Sequence, residues 1–410
     1  MLEIKFIRQN PEKVKEVCKK RQSKVDIDQL LILDKKKNEY LQEVENLRAK
    51  QNKLGKDDIR EAQEIKDKIK KIEPELEKTK KEFQNLMLQI PNLPLDDVPV
   101  GKDEKDNLVI EEIGEKPKFD FQPKDYLELT EKLDWVDIER AAKVSGARFG
   151  YLKNQAVLLQ FALINFAFDI LTNKRFIPII PPVMLKSEMA KGMGYLEQAD
   201  KEEAYYLPQD DLYLVGTSEQ SIGVMHANEV FEEKDLPKRY VGFSTCFRRE
   251  AGSHGKDTKG ILRVHQFDKI EMFIFCQPEE SKKEHQLLLK TEKELMNGLE
   301  LPYRVVHLCT GDIGRPSAST YDIETWMPGQ NRYRETHSTS NCTDFQARRL
   351  NIRYRKNKDK KLEFVHMLNG TAFAIPRILI AILENYQQAD GSVKIPKVLQ
   401  KYLGAKVIGP

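Results

Sequence analysis

The run YVGFSTCFRREAGSHGKDTKGILRVHQFDKIEMFIF, residues 240–275, decides the fold. It reads as two strands joined by a long polar loop. Residues 240–247 mix aromatic, β-branched and small side chains. Over residues 261–275 apolar and polar positions alternate, with Ile261, Arg263, His265, Phe267, Lys269 and Glu271 on one side of a period of two. That alternation marks strands with two different faces. Between the strands, residues 251–260 carry three glycines together with Lys256, Asp257 and Lys259, the composition of a solvated and mobile loop. Arg248, Arg249 and Glu250 close the first strand, while Arg263, His265 and Glu271 punctuate the second. In an arbitrary hairpin such a face is a salt-bridged surface. The order Phe247-Arg248-x-Glu250, loop, Arg263-x-x-x-Phe267 makes it a candidate ligand face.

Working outward, 410 residues are enough for two or three domains with a sizeable core. No run of about 18 apolar residues is evident, so no membrane span is expected. The N-terminus MLEIKFIRQNPEKVKEV is charged at once and lacks an apolar signal core, which predicts a cytoplasmic protein. The five cysteines, Cys18, Cys246, Cys276, Cys309 and Cys342, form no CxxC pair; reduced thiols are expected and a structural zinc site is not. A net charge of +3 announces no nucleic-acid partner, so any such surface must be local.

Residues 1–25 read as a short helical lead-in, with Asn10-Pro11-Glu12 a helix start. Leu33, Tyr40, Leu47 and Leu54 then recur every seventh residue, with Val44 on the same stripe. After a break at residues 55–58 the stripe resumes as Ile65, Ile69, Ile72, Leu76, Thr79, Phe83, Leu86 and Ile90. Two heptad seams joined by a short turn predict an antiparallel helical hairpin over about residues 27–90. Pro74 should kink its second helix or open a backbone hydrogen bond. Without context, a scaffold coiled coil is the commoner use of such a hairpin.

Residues 91–118, with DDVPVGKDEKDN, read as a linker. Residues 151–171 predict a long helix that is apolar over most of its surface and buried on several sides. RFIPIIPPV, residues 175–183, is extended, and its prolines keep it out of central sheet positions. LYLVGTSEQ, residues 212–220, is a strand meeting a turn at Thr217-Ser218-Glu219, which by itself reads first as a helix cap. Residues 301–312, 321–326 and 333–338 give further strands. LNGTAFAIPR, residues 368–377, reads as a strand of small residues running into a helix at Pro376-Arg377.

These elements, in this order, resemble the class II aminoacyl-tRNA synthetases. Residues 240–275 are similar to their motif 2, residues 175–183 to motif 1 and residues 368–387 to motif 3. GSHGKDTKGILRVHQFDKIEMF resembles seryl-tRNA synthetases in particular, as does the tail IPKVLQKYLGAKVIGP. The resemblance implies an α+β fold: a long N-terminal antiparallel coiled-coil arm over residues 1–100, a linker over 101–122 and a class II catalytic domain over 123–410, built on an antiparallel β-sheet flanked by helices. It implies a serine--tRNA ligase that makes seryl-adenylate from L-serine and ATP, then charges tRNA(Ser), with tRNA(Sec) permitted as a further substrate. It also implies a homodimer.

By the same resemblance Arg248 binds the α-phosphate and Glu250 the adenine amino group, while Phe267 and Arg377 sandwich the purine. Glu335 holds Mg²⁺ with ATP, and Arg248, Arg377 and Glu335 are the catalytic set. Arg249, Val264, His265, Gln266, Thr336, His337 and Ser338 complete the ATP pocket. Thr217, Ser218 and Glu219 take the serine ammonium; Glu271 and Thr371 read its hydroxyl. Arg48, Lys53, Lys56 and Arg60 near the hairpin tip are candidates for tRNA phosphates. The family's usual Glu-x-Ser-Ser is Glu335-Thr336-His337-Ser338 in this chain, and residues 314–319 carry no lysine before Tyr321, so no substrate contact is assigned to that segment. The rival readings are an adenylating paralogue of the same fold and a non-catalytic coiled-coil regulator, with a different amino-acid specificity, such as threonine or proline, as a third. The first usually lacks the arm, and the second would be expected to have lost Arg248, Glu250, Glu271 or Arg377.

Overall fold

The computed structural model describes residues 1–55, 57–195, 202–251, 259–358 and 360–409. Residues Met1–Asn92 form one compact unit and Leu93–Pro410 another.

In the first unit, α1 (Ile4–Gln9) and α2 (Pro11–Lys20) precede the long helices α3 (Ile27–Gln51) and α4 (Ile59–Gln89). Pro11 opens α2, where its missing N–H costs nothing. Asp26 caps α3 by accepting from the Gln29 amide at 2.9 Å. The heptad stripe is the seam between α3 and α4: Leu33, Val44, Ile65, Ile69, Leu76 and Thr79 are buried along it. The turn between them is closed by the Gly55 amide donating to the Asp58 carboxylate at 2.8 Å. Pro74 lies inside α4, which runs on through it; the loss is the hydrogen bond its nitrogen cannot donate. Ile7, Val14, Cys18, Ile27, Leu30, Met87 and Ile90 join the helix bases in one apolar cluster. Near the tip, Arg48 pairs with Glu73 at 2.9 Å, Lys53 and Arg60 are exposed, and Lys56 lies outside the described residues.

The second unit is built on an eight-stranded sheet. Its strands in chain order are β1 (Leu108–Ile113), β2 (Ile177–Ile179), β3 (Lys238–Phe247), β4 (Gln266–Cys276), β5 (Tyr303–His307), β6 (Ser319–Met327), β7 (Arg332–Asn341) and β8 (His366–Ala374). They lie in the order β1-β5-β6-β7-β8-β4-β3-β2. Every neighbouring pair is antiparallel except β2 with β3. Four helices concern the site: α5 (Gln155–Asn173), α6 (Glu219–Val224), α7 (Ser281–Gly298) and α8 (Ile375–Tyr386). Of these α5, α7 and α8 pack on the sheet and close a single large core, in which Phe166 of α5 stacks on Phe373 of β8 at 6.2 Å.

Three expectations need correction. The second motif 2 strand starts at Gln266, not at residue 261. Gly260 turns the chain with φ +75°, and the His265 amide bonds the Arg148 carbonyl instead of a strand partner. The stretch read as linker contains β1, whose charged residues suit an edge strand paired on one side only. Finally, α5 is, among the described residues, the one helix long and apolar enough to cross a membrane on length and composition. It buries Leu159, Leu163, Phe166 and Leu171 in the core but leaves Leu158 and Phe161 more than half exposed. Its apolar surface is therefore not buried all round.

Candidate active site

Alternation along the central strands supplies the site. Phe267, Lys269 and Glu271 of β4 and Asn369 and Thr371 of β8 point to one side of the sheet and line a cavity of about 560 Å³. Even-numbered Thr336, Ser338 and Ser340 of β7 join them. Glu335 would ordinarily face away. It reaches the same cavity because the β6–β7 register shifts there: Ile323 opposes His337 and Glu324 opposes Glu335, leaving Thr336 as an extra residue. Such a bulge re-aims a side chain.

Around this floor stand residues from four other segments. Thr217 and Glu219 come from the turn into α6, and Arg248 and Glu250 from the end of β3. Val264 comes from the turn before β4, and Arg377 from the first turn of α8. Arg248 is aimed by its Nε–H donating to the Gly216 carbonyl at 3.1 Å, and its guanidinium lies over the Phe267 ring at 5.4 Å. Glu250 has φ +50°, a left-handed conformation unusual for glutamate, and its carbonyl accepts from Arg148 Nη1 at 2.8 Å. A non-glycine residue held there points to a functional constraint.

The electrostatics divide the cavity into two groups. In one, Lys269 Nζ lies 2.5 Å from Glu271, and Thr217 Oγ1 donates to the same carboxylate at 3.3 Å. Tyr195 donates its hydroxyl proton to Glu219. Burial pushes the Glu271 carboxyl up to about 7, with Lys269 pulling it down and Glu219 adding to the rise. In the other, Arg377 Nη1 lies 3.1 Å from the Glu335 carboxylate. Burial raises Glu335, but Arg377, then Arg248 and Lys269, outweigh it and hold the group below its ordinary value. Its side chain is 51 % exposed, open into the cavity, where solvent screens the pair.

Five residues expected at the site do not line the cavity. Ser218 is fully buried and bonds the Gly242 carbonyl. Arg249 covers the Tyr205 ring at 5.3 Å. His265 braces the hairpin end, its Nδ1 donating to the Arg248 carbonyl at 2.9 Å. Gln266 is paired with Phe247 in the strand ladder. His337, fully buried beside Thr336, is pushed down to about 3 by burial, so its imidazole stays neutral. The expected loop tip, residues 252–258, lies outside the described residues. The cavity also includes residues that carried no expected role: Tyr195, Lys269, Asp312, Asn369, and Gly314 from a segment given no substrate contact. Of these only Lys269 carried a signal, sitting between Phe267 and Glu271 on the alternating face.

Fold and site together define a class II aminoacyl-tRNA synthetase: residues 205–386 match the tRNA synthetase class II core domain (G, H, P, S and T). A prolyl-tRNA synthetase from Giardia lamblia, 16 % identical with a TM-score of 0.59 over 67 % of this chain and 54 % of its own, shares the fold alone. Residues 1–94 match the seryl-tRNA synthetase N-terminal domain. A serine--tRNA ligase from Dictyoglomus turgidum is 45 % identical over 100 % of both chains. The crystal structure of seryl-tRNA synthetase from Pyrococcus horikoshii complexed with ATP is 44 % identical over 100 % of both chains, with a TM-score of 0.93. The cytoplasmic serine-tRNA ligase from Naegleria fowleri in complex with AMP is 35 % identical over 98 % of this chain and 96 % of its own, with a TM-score of 0.86. The chain belongs to the seryl-tRNA synthetase family.

Proposed function

We propose that this chain activates L-serine with ATP to seryl-adenylate, releasing pyrophosphate, and transfers the seryl group to the terminal ribose of tRNA(Ser). It is an aminoacyl-tRNA ligase. The observation that carries the reading is the single cavity that gathers Arg248, Glu250, Phe267, Glu335 and Arg377 with Thr217, Glu219, Glu271 and Thr371. The serine carboxylate is the nucleophile, so the protein needs to position reactants and stabilise charge on phosphate oxygens.

Arg248 presents a guanidinium fork to the α-phosphate. Phe267 and Arg377 hold the purine between a ring and a planar cation, and Glu250 accepts from its amino group. Glu219 and Thr217 accept from the serine ammonium. Glu271 and Thr371, direct partners across β4 and β8, read its hydroxyl. A site built to bond a hydroxyl rejects the analogue lacking it by roughly 10⁴ to 10⁵, so alanine is refused; threonine is refused by size.

Glu335 and Ser338 fit Mg²⁺ bound with ATP. Among the described residues no three metal-ligating side chains cluster, and Mg²⁺ is typically held by one or two carboxylates plus substrate phosphates. Asp322, with a buried oxygen lacking a hydrogen-bond partner among the described residues, lies close to Glu335, and burial followed by the Glu335 charge drives its carboxyl well above the ordinary range. When bound, the ion would neutralise charge on the phosphates.

The arm, residues 1–92, supplies the tRNA-binding part of this reading, with Lys53 and Arg60 exposed toward its tip. A homodimer would cover Leu158 and Phe161 of α5 and Ile177 and Ile180 at β2, all about half exposed or more. A cytoplasmic site of action belongs to the same reading. The test is amino-acid-dependent exchange of labelled pyrophosphate into ATP with serine, alanine, threonine, glycine and cysteine, followed by charging of tRNA(Ser). Exchange with serine alone is expected. Exchange with another amino acid would overturn the substrate, and no exchange would favour the non-catalytic regulator.

A further inference from the structure

Glu292 of α7 takes part in none of these roles. It is fully buried, and neither carboxylate oxygen has a hydrogen-bond partner of normal geometry among the described residues. A polar group left so is costly, and an uncompensated charge far more so. The glycine at residue 370 gives it close, unstrained room. A Cβ there would stand 3.1 Å from Glu292 Oε1, 3.0 Å from Thr339 Oγ1 and 3.3 Å from the Met272 methyl. Gly370 faces α7 while its neighbours Asn369 and Thr371 face the cavity, so Glu292 lies directly across the β8 backbone from the serine end of the site. Thr371 opposes Glu271 in the ladder, and Gly370 opposes Met272.

The charged groups acting on Glu292 are Glu271 and Lys269 from β4 and Asp322 from β6; β7 contributes the Thr339 hydroxyl and β8 its backbone. Lys269 is already engaged by Glu271 at 2.5 Å. A second anion would share that one ammonium with no bond of its own. Burial, then the charges of Glu271 and Asp322, drive the Glu292 carboxyl well above its ordinary range, against a weaker pull from Lys269 and the Thr371 amide.

We propose that Glu292 is a positioning residue for the amino-acid end of the cavity, a neutral carboxylic acid wedged beneath Gly370 that sets where Thr371 and Glu271 stand. It fills the volume behind the floor strand without competing for Lys269, which leaves Lys269 engaged with Glu271 and leaves Glu271 and Thr371 to meet serine. The inference rests on the serine-activation reading.

The experiment uses full-length Glu292→Gln and Glu292→Ala beside the wild type. The infrared difference spectrum of wild type minus Glu292→Gln near neutral pH should show the C=O stretch of a protonated carboxylic acid. In serine-dependent pyrophosphate exchange, Glu292→Gln should stay within about threefold of wild type. Glu292→Ala should raise KM for serine about tenfold or more while KM for ATP moves little. The proposal is overturned if the protonated-acid band is missing, if Gln loses serine as fully as Ala, or if Ala leaves the serine KM unchanged. Should Glu292→Ala fail to fold, the band and the Gln variant decide. A wild type that exchanges nothing with serine defeats the functional reading, whereas a Glu292→Ala variant that matches an active wild type defeats only this one.

Discussion

Arg377 Nη1 stands 2.8 Å from the main-chain carbonyl of Glu335 and 3.1 Å from its carboxylate, so one guanidinium grips one residue twice. The grip joins the first turn of α8 to the bulge of β7, two elements 42 residues apart in sequence. It orients both side chains before any substrate arrives, and preorganised charge of this kind is the largest single term in many enzymes.

Arg377→Ala is therefore expected to lower kcat/KM for ATP in serine-dependent exchange by about 10² to 10³. Arg377→Lys should recover little of this, because an ammonium can neither stack flat on a purine nor span both acceptors. Steady-state kinetics with ATP varied check it; a loss of threefold or less would remove Arg377 from the phosphate and purine roles.

Serine use should depend on pH through Glu271, whose carboxyl burial lifts to about 7. Below that value the group is neutral and above it charged. If the charged form meets serine, kcat/KM for serine rises from about pH 6 to about pH 8 with a logarithmic slope near one. Stability runs the other way. A folded-state pKa raised above the unfolded one gives a contribution that is present in acid and lost as pH rises through about 7. Glu271→Gln should flatten the stability trend. A serine profile level across that window sinks the assignment.

Residues 93–410 carry the whole described cavity and form a unit of their own. Expressed alone, they should retain serine-dependent pyrophosphate exchange within about tenfold and lose charging of tRNA(Ser). Full charging by this fragment would take the arm out of tRNA binding.

Arg239 donates from Nε and Nη2 to the two oxygens of Glu284, each at 2.7 Å, and the Glu284 side chain is 1 % exposed. Arg239→Ala strands that carboxylate and should cost about 3 to 5 kcal/mol in urea unfolding. Replacing both, Arg239→Met with Glu284→Leu, should recover most of the loss. An unchanged midpoint for the single variant contradicts the buried-pair account.

Much of this was legible from periodicity. The heptads at Leu33, Val44, Ile65 and Leu76 made the arm, and the alternation at Phe267, Lys269 and Glu271 put three side chains on one face because a strand has no other choice. Those patterns are local, so the chain alone determined the two helices, the hairpin and the order of the motifs. Where the alternation ended was not local. His265 looked like part of it until the Gly260 turn and the Arg148 carbonyl took its backbone away.

The sequence by itself thus determined which family of fold forms and which side chains could reach a ligand. Only the tertiary structure decided which of them line the cavity. Glu335 enters the cavity by a register shift against β6, and Ser218 and His337 leave it by burial. Glu292 packs against a glycine 78 residues further along the chain, residue 370 against residue 292. Desolvation and partner distance are properties of packed space, set by elements far apart in the chain, and no periodicity within one strand or helix encodes them.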